Sequence, residues 1–105
     1  MIDRLKRQSD FDKIFQKGKK CYAKSLMMLY IPAESLKIGY SISKKHGKAV
    51  QRNKIKRLLR SAVREVFRDS KEKCNIVFLP KVKEEYSFHE YLSDITYLKK
   101  KENLK

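Results

Sequence analysis

The chain of 105 residues has no tryptophan, three glycines, two prolines and two cysteines. So little glycine and proline excludes collagenous and flexible low-complexity classes. The cysteines, Cys21 and Cys74, are far apart and form no CxxC pair, which argues against a disulfide framework or a zinc site. A reduced, cytoplasmic protein is the simplest expectation. No apolar run approaches the roughly 18 residues of a membrane span, and the opening MIDRLKRQSDFDK lacks the apolar stretch of a signal peptide. Acidic residues are also scarce: 12 Asp and Glu face 27 Lys and Arg, for a net charge of +15. That excess repels itself in a compact monomer and suits a polyanionic partner, whose counterions each cation can release.

What is present fits one domain over residues 1–105, with a basic tail from about residue 99. Ser9 to Lys17 reads as a helix, capped by Ser9, closed by Gly18 and apolar at Phe11, Ile14 and Phe15. Leu26 to Ile31 reads as a buried strand, with an extended lead-in from Lys19. Leu36 to Ser43 alternates, placing Leu36, Ile38, Tyr40 and Ile42 on one face of a half-buried strand. A basic loop, Lys44 to Lys48, precedes a long helix from about Val50 to Asp69. Its Ile55, Leu58, Leu59, Ala62, Val63, Val66 and Phe67 follow helical spacing. Asn75 to Pro80 is a further strand. Ser87 with Glu90 three residues later opens a last helix. The expected fold is α/β (α+β), a two-layer sandwich in the order α-β-β(-β)-α-β-α, with helices packed on one sheet.

The charge is concentrated. Between Lys44 and Arg68 stand ten Lys or Arg and one acid, Glu65. On a helical wheel Lys56, Arg57, Arg60, Arg64 and Arg68 fall opposite the apolar stripe, with Asn53 among them and Arg52 nearer its edge. A solvated helix face is the plain alternative, but such faces mix both signs to gain i, i+4 pairs. The arginine bias also favours phosphate, which the guanidinium grips in a fork. The aromatics Phe11, Phe15, Tyr22, Tyr30 and Tyr40 read either as core or as a groove where bases of a single strand stack. His46 and His89 are isolated, and no phosphate loop, nucleophile elbow or carboxylate pair is present, so no catalytic residue is assigned.

The run SISKKHGKAVQRNKIKRLLR, Ser41 to Arg60, resembles the signature of the bacterial ribonuclease P protein component. The matching positions are Ser43, Lys44, Lys45, Gly47, Ala49, Arg52, Asn53, Lys56, Arg57 and Arg60. RLKRQSDFDKIFQKG is similar to the family's opening helix, with its paired Phe and terminal Gly. One departure is Leu79 to Lys83, where the family commonly has an Arg and small residues.

The resemblance implies a subunit that assists a catalytic RNA in removing the 5′ leader of precursor tRNA, with Mg²⁺ held mainly by that RNA. It implies a left-handed β-α-β crossover in place of the usual right-handed one. It assigns RNA-subunit contacts to Arg52, Asn53, Lys56, Arg57 and Arg60, with Arg64 extending the row. It places Phe11, Phe15, Tyr30, Lys44 and Lys45 at a leader-binding cleft between first helix and sheet. A small ribosomal protein is the competing RNA-binding reading. A DNA-recognition helix would need a short helix where a strand is expected. A membrane-surface helix would take Leu58, Leu59, Val63 and Phe67 from the core.

Overall fold

A computed structural model describes residues 2–105. Five strands and three α-helices follow in the order β1 (Asp3–Arg4), α1 (Gln8–Lys17), β2 (Lys19–Tyr22), β3 (Leu26–Pro32), β4 (Lys37–Tyr40), α2 (Ala49–Phe67), β5 (Cys74–Pro80) and α3 (Phe88–Lys101). A single 3-10 turn, Lys44–His46, stands before α2. The strands form one mixed sheet in the order β1-β4-β5-β3-β2. β5 lies at its centre, parallel to β4 and antiparallel to β3.

Alternation along the strands divides the core between the two faces of the sheet. Leu26, Met28, Ile38, Ile76 and Phe78 pack with Ile55, Leu59, Val63 and Phe67 of α2 and with Tyr91, Ile95 and Leu98 of α3. Leu29, Ile31 and Val77 point the other way, to Leu5 and to Ile14 of α1. One helix thus covers one face and two cover the other. The helical spacing of α2 survives nearly residue for residue, although Leu58 and Val66 at the stripe's edges are only half-buried.

The helix ends vary. Ser87 caps α3 as expected, its Oγ accepting from the Glu90 amide at 3.4 Å. The cap of α1 is instead Arg7, with no side-chain hydrogen bond, so Ser9 lies inside the helix. Gly18 does close α1: its N–H donates to the Ile14 carbonyl at 2.7 Å, and a Cβ at Gly18 would meet that oxygen at 2.4 Å.

The carboxyl end, expected as a basic tail from about residue 99, is helical at its start and packed on the domain. α3 runs on to Lys101, Lys99 Nζ donates to the Val66 carbonyl at 3.0 Å, and Leu104 packs on the core. Glu102 is held from two strands, by Lys19 Nζ at 2.7 Å and by the Tyr30 hydroxyl at 2.8 Å. These donors, Lys19 first, hold the Glu102 carboxyl below its usual range. A carboxyl lowered in the folded state adds stability above its ordinary pKa of about 4.3 and loses it as pH falls through the lower folded value. Glu102→Gln should therefore lower the melting temperature at about pH 7, and the gap to the parent should narrow as the pH falls below the ordinary carboxylate range. A gap that persists unchanged in acid would show that charge is not the cause.

Candidate nucleic-acid interface

α2 is built with one buried and one cationic side. Ile55, Leu59, Ala62, Val63 and Phe67 are buried. Asn53, Arg57, Arg60, Arg64 and Arg68 are exposed, while Arg52 and Lys56 are half-buried at the margin. Of these cations only Arg68 has a carboxylate within 4 Å among the described residues, Glu65 at 3.5 Å. Arg57, Arg60 and Arg64 therefore stand as a row of unpaired guanidinium groups, spaced to follow a phosphate ridge. Arg52 sits in the first turn with its Nε buried and no protein acceptor for it among the described residues.

The opposite face holds the second group. Phe11 is half-buried and Phe15 is 37% exposed, both on α1. Phe11 is seated over Gly39 of β4, where an added Cβ would lie 2.6 Å from the ring and 3.1 Å from Leu5. Ile31, Leu29 and Val77 are covered. One step further along the strands, Tyr22, Met27 and Leu79 stand in register across β2, β3 and β5. Met27 and Leu79 are only half-buried and Tyr22 is 60% exposed, so this row is a strip of open sheet beside α1.

The basic turn closes the same end of the sheet. Ser43 Oγ accepts from the Lys45 amide at 3.3 Å. His46 is buried and spans to β5, its Nε2 lying 2.8 Å from the Pro80 carbonyl. With Nε2 protonated it donates there, and Nδ1 accepts from the Ser43 amide at 3.2 Å. This strut holds Lys44 and Lys45, both exposed, beside the end of the open strip.

Tyr30 does not join this group. It packs with Met28 and Leu26 on the α2 and α3 side, and its hydroxyl, raised to about 12 chiefly by burial, donates to Glu102. Leu29, its neighbour in sequence, is the β3 residue on the α1 side. Phe11 and Phe15 thus stand on α1 and Lys44 and Lys45 at the end of the strip, whereas Tyr30 lies on the other face of the sheet. Gly39, Met27 and Leu79 are floor residues that sequence reading missed, and Tyr22, one of the aromatics it offered for a groove, stands with them. The strict alternation of β4 already set Gly39 opposite Ile38; no such signal distinguished the faces of LMMLYI.

Gly39→Ala should destabilise the domain by about 1–3 kcal/mol through overpacking. Combining it with Phe11→Leu should recover part of that loss, because the ring is the obstacle. Chemical denaturation of the three variants checks this; purely additive losses would separate Gly39 from Phe11.

The family model for ribonuclease P matches residues 2–103. The chain belongs to the ribonuclease P protein family. It is 35% identical to the ribonuclease P protein component of Bacillus velezensis, covering 97% of this chain and 90% of that one. Among solved structures, the RNase P protein from Thermotoga maritima superposes with a TM-score of 0.80 at 27% identity, covering 93% of this chain and 96% of that one. A Staphylococcus aureus RNase P protein mutant, described as defective in mRNA degradation activity, gives 0.84 at 24% identity, over 97% and 89% of the chains. At that identity the second likeness speaks for the fold alone. The ribonuclease P family fold is thus the one that sets α2 and the α1 groove on opposite faces of a single sheet.

Proposed function

We propose that this chain is the protein subunit of a cytoplasmic ribonucleoprotein that removes the 5′ leader of precursor tRNA. α2 binds the RNA subunit through Arg52, Asn53, Lys56, Arg57, Arg60 and Arg64. The groove of Phe11, Phe15, Lys44 and Lys45 binds the leader. The observation that carries the reading is the unpaired row Arg57, Arg60 and Arg64 on a helix whose other side is core. Such a row grips backbone phosphates without reading bases. The groove supports an extended strand of varied sequence, through stacking and charge.

The chemistry of cleavage is assigned to the RNA. Among the described residues no three His, Cys, Asp or Glu side chains gather as a metal-binding group. The residues present therefore do not form a magnesium cage, and no step is assigned to a metal on this chain. The protein's part is to hold two RNA surfaces at a fixed separation and to lower their mutual repulsion.

The test is leader removal from precursor tRNA by a ribonuclease P RNA at low Mg²⁺, with and without the protein. Adding the protein should accelerate cleavage, and RNA-free protein alone should leave the leader intact. Unchanged cleavage, with co-sedimentation on ribosomes, would favour a ribosomal protein instead.

A further inference from the structure

Between the last turns of α2 and the β1–β4 edge lies a cavity of about 490 Å³. Its size falls within the range of small-ligand sites. Four arginines line it: Arg60, Arg64 and Arg68 from one side of α2, and Arg4 from β1. The floor is apolar, made by Ile38, Val63 and the ring of Tyr40. Tyr40 is stacked on Phe78, with ring centroids 6.4 Å apart and planes 24° apart, which fixes its orientation. Burial pushes its hydroxyl up to about 12, while Arg60 and Arg64 pull it the other way, so the phenol is desolvated and within reach of both cations. Asp3 is the one acid in the lining. Among the described residues Arg4, Arg60 and Arg64 have no carboxylate within 4 Å, and Arg68 shares Glu65.

A convex row of cations is enough to track a phosphate ridge, and it needs no cavity. A concave site with an aromatic floor and guanidinium walls has a different use. We propose that it binds one nucleotide, the base against Tyr40 and the phosphate among Arg4, Arg60 and Arg64. Arginine forks the phosphate, and an aromatic ring accepts any base by stacking. The nucleotide is either one turned out of the RNA subunit's stack or a free mononucleotide. The chemistry is the same for both. For its RNA source the proposal rests on the function proposed above. For the pocket itself it does not, so the two can fail separately.

The experiment titrates the full-length free protein with guanosine 5′-monophosphate, adenosine 5′-monophosphate and ribose 5-phosphate at about 0.15 M salt, read by NMR shifts. Both nucleotides should bind about tenfold tighter than the sugar phosphate, because only they stack. Tyr40→Leu should erase that difference and Tyr40→Phe should keep it. Arg4→Gln should weaken all three ligands, and Lys54→Ala, the same charge change outside the pocket, should weaken none. Equal affinity for nucleotide and sugar phosphate would overturn the proposal, as would a preference indifferent to Tyr40→Leu in folded protein. The two sources separate on adding a ribonuclease P RNA. Loss of guanosine monophosphate binding, with weaker RNA binding by Tyr40→Leu, identifies the RNA's own nucleotide. Retained binding identifies a free one.

Discussion

Replacing Arg57 and Arg60 together with alanine should weaken binding of a ribonuclease P RNA roughly a hundredfold. Each guanidinium is exposed and has no carboxylate within 4 Å among the described residues, so neither must leave a protein partner to meet phosphate. A hydrogen bond to a charged group contributes about 1.5–3 kcal/mol, or about tenfold or more for each arginine. The slope of log affinity against log salt should flatten by roughly two, since each phosphate contact carries about −0.9 on duplex-like RNA. The fold should not suffer, because surface substitutions usually stay within about 0.5 kcal/mol. Filter binding at several salt concentrations, with thermal melts in parallel, checks all three expectations. Unchanged affinity at a matched melting temperature would remove α2 from the RNA interface.

Phe15→Ala should reduce affinity for precursor tRNA by one to two powers of ten at most, and leave mature tRNA nearly untouched. Base stacking on an aromatic ring is worth about 1–3 kcal/mol by alanine substitution. The ring is 37% exposed, so its loss should cost less than the roughly 3–5 kcal/mol of a fully buried Phe. Ile14 is the internal control. It neighbours Phe15 but is fully buried between α1 and the sheet. Ile14→Ala should lower the melting temperature by an amount worth about 2–5 kcal/mol and treat the two tRNAs alike. If Phe15→Ala behaves like Ile14→Ala, Phe15 is core and the groove loses it.

Much of this arrangement was legible before any coordinates. α2 was plain because its apolar residues from Ile55 to Phe67 recur at helical spacing, with Arg57, Arg60 and Arg64 exposed on the other side. β4 was plain because it alternates, and Ser87 because its hydroxyl meets the Glu90 amide. The failures have physical causes. In LMMLYI nearly every residue is apolar, so no alternation tells the two faces apart. Pairing with β2 and β5 decides them, and it sends Tyr30 away from the groove. β1 is two residues long and carries no pattern; its pairing with β4 comes from tertiary structure. The lysines near the end read as a basic tail. Lys99 instead caps a carbonyl of α2 and lies over Phe67 at 5.3 Å, which sequence spacing cannot show.

The position of β5 has a consequence for how the chain comes into being. It is the strand that joins the two halves of the sheet, yet it is the last of the five strands to leave the ribosome. Until residue 80 has emerged, β3 and β4 have no common neighbour, and Leu59, Val63 and Phe67 of α2 have only part of their core. The nascent polypeptide thus exposes its most cationic helix before it has a scaffold. Contacts so distant in sequence close slowly. An RNA that binds only the finished domain would draw this late step forward by mass action. Newly made protein and newly transcribed RNA would then mature as one assembly event.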